Sequence, residues 1–533
     1  MSNPPDNVNE LFIAVVAAVG TDIDKVTSQI GTCLAEYEYE STDIRLSDFL
    51  AEGAAKDFRD LPIDERLWEA MTAGDELRQK WDRDDALALR AISDIVATRD
   101  AAAPPPSPDA ADGELSPNLN RRAFVIRSLK TPDELETLRA VYGPRLIVIA
   151  AFSPRDKRLA HLADEIQDER KSGDQDTWTH QPKDLVDRDE KEQRSRGQDV
   201  SGTFHRADFF IRGWDRDVIE EDLTRAFEIL FGAPFRTPTR DEYCQFMASG
   251  AALHSAEPGR QVGVAIATPE GSLISLGTND VPRVFGGTYW DDEEGSREFE
   301  VSDIDTNRKH FDELGERLAS AVDRRLEEAI EAVKEGTDAP EVERMEELRE
   351  TAASSLLQIL RAAGLKELTE FGRAVHAEMN ALLDAARRGI SVDGATLYTT
   401  TFPCHNCARH IIGSGIRRIV FVEPYIKSRA VDLHGDALSV DESEDDDDNR
   451  IKVDAFVGVA PRRYQEMFDA FARERLGHVG RKKDDGRLQE LDKKSAAPVF
   501  TDSGLFRLRP VLREYRAKEL LALNHYNRYT SGV

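Results

Sequence analysis

Cys404 and Cys407 stand two residues apart, and His376 and Glu378 lie well upstream of them with a strand-like stretch between. Any fold that makes chemistry of these residues must bring two separate helix starts to one point. His376-Ala377-Glu378 opens a helix predicted over Val375–Arg388, and Thr396–Thr400 reads as a strand. Pro403-Cys404-His405-Asn406-Cys407 opens a second helix, from about Cys404 to Ser414. Two cysteines so spaced at a helix start can both point at one ion, and the positive helix terminus favours the thiolates that bind it. His376 supplies a third ligand from the neighbouring helix. Three protein ligands leave one tetrahedral corner open, as a catalytic zinc requires and a closed structural zinc does not. Glu378 then stands beside the ion without coordinating it, placed to take a proton from water and hand it to a ring nitrogen and a departing amine. Two other readings compete: a redox pair, which needs neither His376 nor Glu378, and a structural zinc, which wants a fourth side chain such as His405 or His410. The remaining cysteines, Cys33 and Cys244, read as small buried apolar residues. Four cysteines in 533 residues cannot build a disulfide scaffold.

The rest of the chain is too long for one core, so two or more are expected. Leu11–Val19 is an apolar run of strand length, followed by Gly20-Thr21-Asp22 and a helix predicted over Ile23–Tyr37. This strand, turn and helix suit a phosphate-cradling loop, but Val15, Thr21 and Asp22 stand where its first Gly, Lys and Ser/Thr belong. A carboxylate at Asp22 would also repel a phosphate, which favours a plain tight turn in a parallel sheet. Strands at 123–126, 146–151 and 209–211 alternate with helices, so a parallel α/β domain is drawn over 8–232. A second domain is drawn over 236–475: a hairpin (262–268 and 273–277), a helical insertion at about 291–368, the zinc motifs, a strand at 418–422 and a solvated acidic loop at 441–448. Residues 480–500 read as a flexible linker, and the C-terminal segment within 476–533 stays unassigned.

No apolar run approaches the roughly 18 residues of a membrane span, and the N-terminus lacks a signal layout, so a cytoplasmic protein is expected. Lys and Arg number 71 against 101 Asp and Glu, a net charge of -30. Such a field opposes general nucleic-acid binding but still permits a mononucleotide, which needs only a few local cations.

His376–Ala381 together with Leu397–Cys407 resembles the deoxycytidylate deaminase branch of the cytidine deaminase superfamily. The stretches 281–290, 423–428, 433–436 and 458–464 are similar to the large bacterial antiphage nucleotide deaminases, which place a P-loop kinase-like domain before the deaminase domain. Val19–Asp22, Gly74–Arg78, Arg127–Lys130 and Thr203–Phe210 fit that first domain. The resemblance implies an α/β chain: an N-terminal P-loop kinase-like parallel sheet, then a deaminase-like three-layer α/β/α domain with the helical insertion. It implies one Zn2+ on His376, Cys404 and Cys407, with Glu378 as the catalytic acid and base. The substrate would be a free deoxycytidine nucleotide, dCTP or dCMP, converted to the deoxyuridine form in antiphage defence. Asn279, in Gly277-Thr278-Asn279-Asp280, would contact the sugar. Arg283, Lys427 and Arg429 would serve the phosphates, and Tyr425 would pack near the sugar or in the core. Gly20, Thr21 and Asp22 would meet a regulatory nucleotide. A homo-oligomer is implied, and a regulatory RNA or phage trigger stays open. The alternatives are a housekeeping dCMP deaminase of thymidylate synthesis and a non-catalytic nucleotide sensor.

Overall fold

The computed structural model describes residues 10–53, 57–102, 121–170, 178–191, 197–293, 297–301, 305–362, 371–422, 429–440, 449–470, 480–483, 485, 487–494, 496, 498 and 514–530. The strands in chain order are β1 (Leu11–Ala17), β2 (Glu40–Arg45), β3 (Arg122–Arg127), β4 (Leu146–Phe152), β5 (Phe209–Arg212), β6 (Gly263–Ala267), β7 (Leu273–Thr278), β8 (Thr396–Thr399), β9 (Arg418–Phe421), β10 (Leu438–Val440), β11 (Ile451–Ala455) and β12 (Gly458–Val459). Contacts group them into two compact units. The first takes the chain up to Phe246 and again from Arg417 onward, and the second is Met247–Ile416. Among the described residues no helix is long and apolar enough to cross a membrane.

The first unit is built on a sheet of order β12-β5-β4-β1-β3-β2. β1 pairs in parallel with β3 on one side and β4 on the other, and all seven of its residues are buried. That is why it reads as an unbroken apolar run: a central parallel strand is covered on both faces. Leu11, Ile13, Val15 and Ala17 share one face with Val26, Ile30 and Leu34 of helix Ile23–Glu36 and with Leu223 and Phe227 of helix Arg216–Leu230. On the other face Phe12 stacks on Tyr142 at 3.8 Å. From β1 the chain runs out to the edge at β2, returns to β3 and then crosses to β4. The order therefore reverses at β1, and the loop Ala18–Asp22 lies at its carboxyl end.

Late sequence completes this unit. β12 adds antiparallel to β5, and the Val459 amide donates to Glu242 Oε1 at 2.8 Å. β9, β11 and β10 pair in parallel. By strand order they continue the sheet β10-β11-β9-β8-β6-β7, whose other members lie in Met247–Ile416. The described part of 480–500 is not a free linker. It carries a bridge between Lys482 and Leu488, and Leu491 and Ala496 pack against the core. Helix Glu514–Thr530, unassigned from sequence, closes over helix Ala86–Ala102. There Arg99, fully buried, pairs with Glu10 and with Glu519 at 2.9 Å each, and the Tyr515 hydroxyl donates to Glu10 Oε2 at 2.7 Å.

In the second unit β6, buried throughout, pairs antiparallel with β7 and β8. Helix Ala377–Arg388 lies on β7 at Gly277, where a Cβ would fall 2.1 Å from the Ala377 carbonyl oxygen. Only glycine lets helix and strand come so close. Within the predicted insertion, helices Thr306–Val333 and Ala339–Ala362 form a hairpin. The acidic loop 441–448 lies outside the described residues.

Removing one partner of a buried ion pair strands the other charge, at a cost of about 3–5 kcal/mol. Arg99→Ala, which leaves both Glu10 and Glu519 without their cation, is therefore expected to lower the apparent unfolding free energy in urea by about 3 kcal/mol. An unchanged midpoint would show that the helix Glu514–Thr530 does not seal these charges.

Candidate metal centre and flanking residues

His376 and Cys404 both sit at helix N-caps, preceding helices Ala377–Arg388 and His405–Gly413, and neither side chain caps its own helix. The side chains are thus free to turn towards each other. Helix Ala377–Arg388 starts two residues later than the sequence pattern predicts. Val375 is still strand-like: its amide donates to the Asp280 carbonyl, and His376 keeps an extended backbone. The amide of Asn380 ties the same helix to β7, Nδ2 donating to the Thr278 carbonyl at 2.8 Å. On the other side, the Thr400 amide donates to Gly263 and the Gly263 amide donates to Thr400 Oγ1, which fixes the end of β8 just before Pro403-Cys404.

The result is a tight cluster. His376 Nδ1 lies 3.4 Å from Cys404 Sγ and 3.3 Å from Cys407 Sγ, and the three donor atoms all fall within 4.8 Å of one another. Tetrahedral bonds of 2.0–2.3 Å would set N and S ligands about 3.6 Å apart, so the donor set fits zinc in both type and spacing. Glu378, 4% exposed, is one step further along the helix, and the Cys407 thiol donates to its Oε2 at 3.4 Å. The cluster's charges are strongly coupled. The bond from Cys407, with help from His376, pulls the Cys404 thiol down to about 3. The same bond, then burial and the Glu378 charge, push Cys407 up. His376 is raised, chiefly by its bond with Cys404. Glu378 is raised by burial. A divalent cation bound there would take both sulfurs as thiolates. His410 is exposed and His405 stands apart from the three-residue cluster, so neither joins it among the described residues.

Residues 238–423 match the family model "Cytidine and deoxycytidylate deaminase zinc-binding region". The deoxycytidylate deaminase of Enterobacteria phage T2 is 51% identical over 55 residues, 10% of this chain and 29% of that protein. ComE operon protein 2 of Bacillus subtilis is 43% identical over 53 residues, 10% of this chain and 28% of that protein. This chain thus spans less than a third of the length of either relative. These matches support a cytidine/deoxycytidylate deaminase domain. Among solved structures, the dCMP deaminase of cyanophage S-TIM5 in complex with dCMP and dUMP aligns over 42% of this chain and all of its own, at 16% identity and a TM-score of 0.23.

Around the candidate metal cluster, the expected substrate residues are placed as follows. Asn279 uses its amide within the fold: Oδ1 accepts from the Val262 amide and Nδ2 donates to the Arg260 carbonyl, both at 2.6 Å. Arg283 pairs with Glu293. Arg429 is exposed and faces Asp432 at 3.9 Å. Tyr425 and Lys427 lie outside the described residues. One acid went unread in the sequence. Glu257, half-buried, sits close enough to His376 for each charge to act on the other, and burial raises its carboxyl. It lies in an irregular stretch after helix Arg240–Ala252, where nothing in residue type or spacing marks it.

Gly20, Thr21 and Asp22 lie in the loop that follows β1. Gly20 has φ +88°, and a Cβ there would meet the Arg158 carbonyl at 2.7 Å, so the turn needs glycine. Thr21 is buried. Asp22 caps the following helix: Oδ1 accepts from the Lys25 amide at 3.0 Å and Oδ2 pairs with Lys25 Nζ at 2.6 Å. Burial opposes its charge, but these bonds hold its carboxyl below the usual range. Asp189 accepts from the Val19 amide at 2.8 Å and pairs with Lys130 Nζ at 3.1 Å. The amides and the cation that could hold a phosphate here are therefore met by the chain's own carboxylates. Beside the loop lies a cavity of about 300 Å³, lined in part by Thr21, Arg78, Lys130 and Gln198.

Because Gly277 seats the helix that carries His376 and Glu378, Gly277→Val is expected to strip the protein of zinc, as read by metal analysis, and to lower its melting temperature. Full metal content in that variant would mean that the close contact does not position the cluster.

Proposed function

We propose that the chain catalyses hydrolytic deamination of a free deoxycytidine nucleotide, dCTP or dCMP, giving the deoxyuridine nucleotide and ammonia with one zinc ion per chain. The observation that carries this reading is the meeting of one imidazole nitrogen and two sulfurs beside a buried carboxylate that is not needed as a ligand. Zinc bound there supplies the Lewis acidity that makes water nucleophilic near neutral pH. Cys404, Cys407 and His376 hold the ion, the two thiolates balancing its double charge. Glu378 accepts a proton from the attacking water and delivers it to N3 of the cytosine ring. It then carries the second proton to the exocyclic amine, which leaves as ammonia while C4 becomes a carbonyl. Each proton thus passes through one carboxylate oxygen held beside the reacting carbon. The short stretches of high identity to deoxycytidylate deaminases favour a nucleotide over a free base, and the net charge of -30 disfavours a polynucleotide.

We assign the physiological role to depletion of deoxycytidine nucleotides in antiphage defence. What supports it is the motif resemblance, together with the β12-β5-β4-β1-β3-β2 sheet of the first unit, to which no residue of the proposed mechanism belongs. That unit would then control the reaction. A regulatory nucleotide at the Gly20–Asp22 loop would have to displace the Asp189 carboxylate to reach Lys130 and the Val19 amide.

Ammonia release from dCTP, dCMP, CTP and cytidine, with zinc counted per chain, tests the reading. Turnover is expected on a deoxycytidine nucleotide, and a preference for dCMP alone would favour a thymidylate-feeding role. Glu378→Gln should keep its zinc and lose turnover by about 100- to 10,000-fold. Cys404→Ala should lose the zinc itself. A Glu378→Gln enzyme working at the wild-type rate refutes the role given to that carboxylate.

A further inference from the structure

The helical hairpin 306–362 of the second unit buries few of its described side chains. Helix Thr306–Val333 runs 28 residues, yet only Phe311, Gly315 and Ile330 on it are buried. Two helices alone bury one seam, and here Arg349 fastens that seam to Asp323 at 3.1 Å. A second apolar face stays open. On it Leu314 and Leu318 are 43% and 42% exposed, Val333 is 48% and Leu348 is 62% exposed. Towards the tip, beside the Arg349 seam, the hairpin has a groove of about 470 Å³, lined by Arg349 and by apolar side chains including Leu326, Ala329, Val333, Met345 and Leu348. Towards the base it carries projecting leucines instead. Knob and hollow thus lie about ten residues apart along one helix, or roughly 15 Å. That is the arrangement an isologous contact needs, because a two-fold axis sets each copy's knob over the other's hollow.

Charge selects the same partner and its direction. The tip half, 326–350, carries three Lys and Arg against ten Asp and Glu. The base half, 306–325 with 351–362, carries six against four. Hairpins laid side by side in the same direction would set tip on tip, ten acids facing ten. Laid antiparallel, each acidic tip meets a base of slight positive charge.

We propose that this hairpin pairs antiparallel with the hairpin of a second copy of this chain, as a four-helix bundle in which Leu314 and Leu318 of each copy fill the groove of the other. The second seam then gains the apolar cover that two helices cannot give it. The contact does not rest on the deaminase reading, since none of its residues belongs to the metal cluster.

Sedimentation of the full-length protein tests the pairing. At tens of micromolar, the Leu318→Glu/Leu348→Glu double variant is expected at half the wild-type particle mass, with an unchanged far-ultraviolet circular dichroism spectrum. Because both sites are exposed, folding should survive, and disulfide trapping gives an independent reading. Chains carrying Leu318→Cys, mixed with chains carrying Ala329→Cys, are expected to cross-link to each other, whereas Val333→Cys chains alone are not. A monomeric wild type, a double variant of undiminished mass, or cross-linking of Val333→Cys to itself in place of the mixed pair overturns the proposal. The first of these outcomes would leave the face to a different apolar partner.

Discussion

Two thiols, an imidazole and a carboxylate crowd into one largely buried corner, and the rest of the second unit is arranged around making that tolerable. Negative charge out of water is expensive unless positive charge or donors are brought to it. Here two helix N-termini are aimed at the same point, with His376 and Cys404 as the cap residues and Cys407 within the first turn. Both helices are held by neighbours that leave little play. One is pressed onto β7 where Gly277 has no side chain, and the other follows β8, which is tied to β6 through Thr400 and Gly263. The cluster is therefore a property of the sheet as much as of the four residues.

The first unit solves a related problem in the opposite sense. Its sheet reverses direction at β1, and in an open α/β sheet ligands gather at the carboxyl end of such a strand. The loop there has the geometry for an anion, with a positive-φ glycine and a following helix. Yet Asp22 occupies the helix terminus, while Asp189 takes the Val19 amide and Lys130. The departures from the phosphate-loop pattern at Thr21 and Asp22 come with internal carboxylates that satisfy the same groups.

What the sequence made legible follows from how each signal is encoded. β1, β3 and β4 were readable because buried parallel strands are apolar throughout, and the metal cluster because its residue types and spacing are rare together. β2, Glu-Ser-Thr-Asp-Ile-Arg, was not readable: only Ile44 is buried, and pairing with β3 makes it a strand. β10, β11 and β12 are two to five residues long and take their conformation from neighbours far away in sequence. Glu257 was hidden because its nearness to His376 is purely tertiary. The role of Asn279 as a tie for residues 260–262 could not be told from sequence, since an amide that holds a loop looks the same as one that waits for a ligand.

Arg99 has a bearing on how this protein comes to exist at all. Its partner Glu10 is 89 residues away and its partner Glu519 is 420. At roughly 5–20 residues per second, a ribosome would need about 20 to 80 seconds to add the second carboxylate after making the guanidinium. Through that interval the first unit lacks a wall over a fully buried charge, while the rest of its sheet is being synthesised. The second unit, by contrast, is made as one uninterrupted stretch and can fold while the first still waits. Of the two units, the one begun first is thus completed last, and nascent chains halted before Glu519 should be the ones that call on chaperones.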